Sequence, residues 1–127
     1  MPTASRKTRT AAAPAALAAV LQPLQARHRA LFRQSADLGL VLRGTIAKRF
    51  MPCGKPACRC KADPPILHGP YYLWTRKVAG KTVTVRLTAE QVARCQPWTR
   101  NMRQLDRLVR TLQAVGLRAA AAVVRLP

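Results

Sequence analysis

Acidic side chains are almost missing from this chain. Asp37, Asp63, Glu90 and Asp106 are its only carboxylate residues, set against 23 lysines and arginines, so the formal charge at neutral pH is +19. Four scattered acids offer no paired-carboxylate arrangement for acid–base catalysis. The two histidines, His28 and His68, form no Ser/His/Asp constellation either. Asp63 is the sole acid near the cysteines and the one candidate general base beside a metal. An enzyme is therefore not expected. Long apolar runs are also missing: no stretch reaches the ~20 residues of a spanning helix. Arg6, Lys7 and Arg9 precede an alanine-rich run as in a secretion signal, but Pro14 interrupts that run and no small-x-small cleavage site follows. The expectation is a cytoplasmic protein with no membrane partner.

The cationic surplus is what remains to be explained. A compact body at +19 repels itself, which implies a polyanionic partner. Nucleic acid is the commonest such partner, and a sequence pI near 11.8 fits the electrostatic footprint of its binders. The competing readings are an Arg- and Ala-rich composition without a ligand, and an anionic membrane surface, which needs a basic helix with bulky apolar residues opposite its charges.

Length and patterning point to one small domain of α+β class with helices on either side. Residues 1–14 are basic, lack apolar periodicity and read as a flexible arm. Over 15–39, Leu17, Leu21, Leu24, His28, Leu31, Ser35 and Leu38 step by four and three, the seam of a heptad helix. Pro23 should kink or start it, and Gly39 should stop it. His28 at a seam position reads as packing or register. The central region, 40–88, opens with a strand over Val41–Phe50 in which Gly44 marks a bulge or a close approach. A β-hairpin follows Pro70, turning at Ala79-Gly80.

Two hairpin registers are open. A two-residue turn pairs Trp74 with Val85 and Tyr72 with Leu87, a core-forming arrangement. A three-residue loop instead gathers Tyr72, Trp74, Arg76 and Arg86 on one face as a stacking surface. Thr88-Ala89-Glu90-Gln91 then has the spacing of a capping box and should start a helix over 89–116. In that helix Trp98, Met102, Leu105, Val109 and Leu112 form an apolar seam, and Arg100, Arg103, Arg107 and Arg110 lie on the opposite side. Pro97 is expected to divide the helix, and residues 117–127 to form a tail.

The densest chemistry lies between strand and hairpin. Cys53, Cys58, Cys60 and His68 fall in a segment with five prolines and two glycines, MPCGKPACRCKADPPILHGP, which backbone hydrogen bonding cannot order. Thiolates and imidazole are the ligands of tetrahedral Zn2+, and four protein ligands describe a structural site. A Cys58–Cys60 disulfide is disfavoured because the two flank a single residue. Cys95, on the last helix, reads as a small buried residue but could replace His68 as fourth ligand. Lys55, Arg59 and Lys61 are interleaved with the ligands, where positive charge stabilises thiolates and can also meet phosphate.

Arg43-Gly44-Thr45-Ile46, Cys53-Gly54-Lys55-Pro56, Cys58-Arg59-Cys60 and His68-Gly69-Pro70-Tyr71-Tyr72 resemble a bacterial and archaeal family catalogued as a domain of unknown function. Its short basic members share an R-G-S/T…C-G-K-x-x-C-x-C…H-G-P-Y-Y pattern, matched here over roughly residues 40–112. The resemblance implies zinc binding and an association with nucleic acid near mobile elements. The chain departs from the family in Pro97 and in its alanine-rich arm.

Two functions follow as expectations. In the first, a zinc module grips nucleic acid, DNA ahead of RNA. Arg100, Arg103, Arg107 and Arg110 track phosphates, Lys55, Arg59 and Lys61 add contacts, and Tyr72, Trp74, Arg76 and Arg86 supply stacking and charge. In the second, the two heptad helices make a coiled-coil adaptor that pairs within the chain, as a homodimer, or with a helical protein partner.

Overall fold

The computed structural model describes residues 3–124, with side chains from Pro14 onward. Helix α1 (Thr3–Arg33), strands β1 (Thr45–Met51), β2 (His68–Val78) and β3 (Lys81–Leu87), and helix α2 (Ala89–Val123) follow in that order. The fold is α+β. Its three strands form one antiparallel sheet in the order β1-β2-β3. Contacts divide the chain into two units: the chain up to Leu38 together with the segment from Gln104, and Gly39–Arg103. Among the described residues no helix is long and apolar enough to cross a membrane.

In the helical unit, α1 is already helical at Thr3, so the arm expected over 1–14 is helix from that point. Alanines dominate residues 11–19 and have the highest intrinsic helix propensity, which outweighs the breaks offered by Pro14 and Pro23. Leu17, Leu21, Leu24 and Leu31 are half-buried. His28 is exposed and stacks on Phe32, with ring centroids 6.0 Å apart. The helix ends in a 3-10 turn at Gln34–Asp37, where the Ser35 hydroxyl donates to the Phe32 carbonyl at 2.7 Å. Leu38 is already extended, so Gly39 is not the helix stop. The glycine matters for another reason: a Cβ there would lie 3.2 Å from the Asn101 amide nitrogen, which donates to the Leu40 carbonyl.

Helix α2 continues through Pro97, and also through Gly116 to Val123 where a tail was expected. Beside Pro97, buried Thr99 returns its hydroxyl to the Gln96 carbonyl at 2.8 Å, a local side-chain bond that helices tolerate. The apolar seam differs from the expected one at a single step. Leu108 and Val115 are buried and Leu105 and Leu112 half-buried, whereas Val109 is 52% exposed. Steps of 3-4-3 and 4-3-4 both pass through 105 and 112. The position between them goes to the bulkier Leu108, which removes more apolar surface from water.

In the sheet unit the capping box forms as read. The Gln91 amide donates to the Thr88 hydroxyl at 3.2 Å, and the Gln91 side-chain carbonyl accepts from the Thr88 amide at 2.8 Å. The hairpin adopts the two-residue register, with Tyr72 opposite Leu87 and Trp74 opposite Val85. Ala79 and Gly80 both take positive φ, 50° and 79°. That is the backbone a tight turn between right-twisting strands requires. The strand expected from Val41 begins only at Thr45. Residues before it are drawn to α2 instead: the Leu42 amide donates to the Trp98 carbonyl at 3.1 Å, in addition to the Asn101 bond to Leu40.

Leu108→Ala should lower unfolding free energy by about 2–3 kcal/mol as it opens a buried site, whereas Val109→Ala should cost less than about 0.5 kcal/mol. Chemical denaturation of the two variants checks the assignment, and equal losses would contradict it.

Candidate metal centre

Strand pairing builds the site before any ligand is considered. Strand β1 ends at Met51, β2 starts at His68, and these two residues face each other across the ladder. The segment between them is therefore clamped at both ends, with Cys53 just past one clamp and His68 at the other. A register shift between Arg49 and Met51 marks the crossing point. Gly69 sits there at φ 142°, where a Cβ would meet the Arg49 carbonyl at 2.8 Å. Only glycine combines that backbone with that approach. Sequence reasoning missed this role, although His-Gly-Pro carries the signal.

Inside the clamped loop a short 3-10 turn, Arg59–Lys61, presents Cys60. The Cys58 amide donates to the Lys55 carbonyl at 3.2 Å, and the Lys61 amide to the Cys58 carbonyl at 2.9 Å. The Lys61 ammonium also donates to the Cys53 carbonyl. These bonds gather Cys53, Cys58, Cys60 and His68 so that one ligand atom from each lies within 4.8 Å of all the others. Cys60 is buried and the other three are half-buried.

The spacing fits a metal. Sulfurs on tetrahedral arms of ~2.3 Å stand about 3.8 Å apart, and a sulfur and an imidazole nitrogen about 3.5 Å. The Cys53 and Cys60 sulfurs are 3.6 Å apart, and the Cys58 sulfur is 3.2 Å from His68 Nε2. The four residues are positioned to bind a metal ion. His68, not Cys95, completes the set: Cys95 is a half-buried residue of α2 outside the cluster.

The electrostatics divide the thiols. Backbone and side-chain hydrogen bonding from Cys60, followed by His68 and Cys53, lowers the Cys58 pKa to about 6. At Cys53 the Lys55 amide pulls down, but burial and the neighbouring thiols, above all Cys60, outweigh it and leave the group raised. At neutral pH the cluster thus presents a ready thiolate at Cys58 and a protonated thiol at Cys53.

The remaining singled-out residues fall into three places. Lys55, Arg59 and Lys61 are exposed on the ligand loop. Arg100, Arg103, Arg107 and Arg110 are exposed on α2. In the sheet, strand alternation puts Tyr72, Trp74 and Arg76 on one face and Arg86 on the other. The expected four-residue stacking surface is therefore split: the Arg76 guanidinium lies 4.2 Å from the Trp74 ring centre, and Arg86 stacks on Tyr71 at 4.0 Å. Tyr71 had not been singled out.

Residues 21–97, more than half of the sequence, match the family described as Domain of unknown function (DUF6788). The chain belongs to that family. All four ligand positions and the whole sheet lie inside the DUF6788 match, which starts within α1, earlier than the motifs suggested, and ends at Pro97. No curated protein and no solved structure is significantly similar to the chain.

Cys60→Ser should abolish stoichiometric metal uptake, while Cys95→Ser should retain it, as read by metal analysis of the purified variants. Proton competition gives a second check. Metal entry near neutral pH must displace the raised Cys53 proton but not one from Cys58. As pH falls through about 6, Cys58 protonates too. The slope of log affinity against pH should then steepen by at least one proton. Chelator titrations at a series of pH values measure it.

Proposed function

We propose that the chain is a zinc-stapled nucleic-acid-binding protein, with DNA as the favoured partner. The observation that carries this reading is charge in the right places. Seven exposed cations, Lys55, Arg59 and Lys61 on the loop and Arg100, Arg103, Arg107 and Arg110 on α2, belong to a chain of +19. Arginine and lysine on a helix and on a rigid loop suit phosphate tracking. Zinc is the metal of choice because three thiolates and an imidazole complete a tetrahedron and leave no open position. The centre then orders the loop and performs no chemistry, so the protein binds rather than catalyses. A cytoplasmic setting, where thiols stay reduced, agrees with four free cysteines.

A specific observation supports a second reading, the helical adaptor. Within the helical unit an apolar groove of about 660 Å3 runs past Leu21, Leu24, His28, Val115 and Val123. A homodimer or a helical partner could fill it.

Native mass spectrometry with and without chelator should show one zinc per chain. Binding to a short duplex should weaken steeply with salt, with log affinity falling linearly in log salt. Replacing Arg100, Arg103, Arg107 and Arg110 by glutamine should flatten that slope by roughly 3–4. A slope unchanged in the variant would sink the proposed helix contact. For the adaptor, mass in solution should fall from dimer to monomer in Leu105→Lys, and a monomer in both cases removes the homodimer.

A further inference from the structure

None of the three strands contains an acidic residue, yet together they carry Lys48, Arg49, Arg76, Lys77, Lys81 and Arg86. Strand alternation sorts these cations between the two faces of the sheet. On one face Trp74 is occupied. Its indole N–H donates to the Arg43 carbonyl at 2.9 Å, and Gly44 lies so close that a Cβ would meet the indole nitrogen at 2.5 Å. The chain at that point is held in turn by the Leu42 amide, which donates to the Trp98 carbonyl of α2. The centre of this face is thus covered by the protein itself.

The opposite face is open. Arg49, Tyr71, Leu73, Lys77 and Arg86 share it, because Arg49 pairs with Tyr71 and Leu73 with Arg86 across the ladders. Two contacts fix the placement: the Arg86 guanidinium lies 4.0 Å from the Tyr71 ring centre, and the Thr75 and Thr84 hydroxyls are 3.2 Å apart. Arg49, Lys77 and Arg86 are exposed, and Tyr71 and Leu73 are half-buried. Among the described residues no hydrogen bond, ion pair or ring contact joins these five side chains to anything outside the strands. Glu90, the acid nearest to Arg86 in sequence, is paired with Arg94 at 3.7 Å.

We propose that this open face binds single-stranded nucleic acid, with Tyr71 and Arg86 stacking a base and Arg49 and Lys77 meeting the backbone. Arg49 lies opposite Tyr71, at the far end of β2 from Lys77, so the two cations stand about 20 Å apart along the strands. They cannot share one phosphate. Cations so spaced on a surface without acids suit an extended polyanion. An exposed guanidinium lying flat on a ring offers its outer plane, and arginine planes and tyrosine rings are what unstacked bases rest on. A duplex keeps its bases stacked and can use only the charges. Beside the stacked pair, Pro70 and Thr88 help line a hollow of about 570 Å3 at the open end of the hairpin, with room for a base. The inference rests on the nucleic-acid reading and narrows it to a single strand on the sheet.

The test titrates the metal-loaded, full-length protein at low salt into a labelled single-stranded DNA oligonucleotide and, separately, into the duplex of the same sequence, reading affinity by anisotropy. Arg86→Gln and Tyr71→Leu should each weaken single-strand binding about tenfold, while duplex affinity changes less than about twofold. Arg49→Gln should flatten the dependence of log affinity on log salt by about 0.7 for the single strand. Lys48→Gln, on the same strand but the other face, should leave that slope as it is. Arg49 and Arg86 are exposed, so their variants give the reading if Tyr71→Leu does not fold. Single-strand affinity unchanged in Arg86→Gln, or equal slopes in Arg49→Gln and Lys48→Gln, overturns the proposed face, and duplex binding in the same experiment leaves the nucleic-acid reading standing. Binding of neither oligonucleotide overturns both.

Discussion

The pairing of Met51 with His68 is the constraint from which the rest of the sheet unit follows. It joins the end of β1 to the start of β2, and so turns a proline-rich stretch with little regular hydrogen bonding into a loop whose two ends are fixed. Loop closure is an entropic cost that falls on every loop. Here the ladder meets it before the ligands meet one another. Cys53 and His68 are brought near by backbone pairing, and the 3-10 turn at Arg59–Lys61 needs only to lift Cys60 between them. A metal in such a site stabilises an arrangement already outlined by the strands. It would tie together a unit in which Cys60 and Thr99 are the only buried residues among those described.

How much of this was legible depends on whether the deciding contact is local. The Thr88–Gln91 capping box is local in sequence and in space, and it forms as the spacing implies. The four ligands were legible because a segment with five prolines has no other route to order. The hairpin register was not, since Ala79-Gly80 is compatible with two loops. The choice falls to Ala79, which accepts a positive φ at some cost and thereby keeps both aromatics opposite Val85 and Leu87. Residues 41–44 look like strand by composition and are not. The Leu42 amide goes to Trp98 and the neighbouring Leu40 carbonyl to Asn101, each more than fifty positions away, and no window along the chain contains that information. Leu108 and Val109 show the same limit in a helix: either can lie between Leu105 and Leu112, and packing alone selects.

The aromatics illustrate how one register redistributes function. With Arg86 paired opposite Leu73, it lies on the face away from Trp74 and goes to Tyr71 instead. Each arginine in the hairpin gains an aromatic partner and gives up part of its freedom. An arginine held flat against a ring presents its N–H fork in a fixed plane, so ordering entropy is spent on folding and not on binding. Cation–π contacts of this kind add modest stability at partly exposed sites, and their larger effect here is geometric.

Charge distribution separates two roles that composition merges. Loaded with a divalent ion, three thiolates and a neutral imidazole would carry a net charge of about −1, so the centre would itself be a local anion. Lys55, Arg59 and Lys61 stand around it, and the Lys61 ammonium reaches the Cys53 carbonyl. Part of their charge is matched inside the protein. Arg100, Arg103, Arg107 and Arg110 of α2 have only Asp106 nearby in sequence. Under the proposed nucleic-acid reading, loop cations serve the centre first and a ligand second, whereas Arg100, Arg103, Arg107 and Arg110 are the ones that call for an external polyanion. On that reading a surplus as large as +19 is balanced from outside the chain, and the helix is where that demand is least met from within.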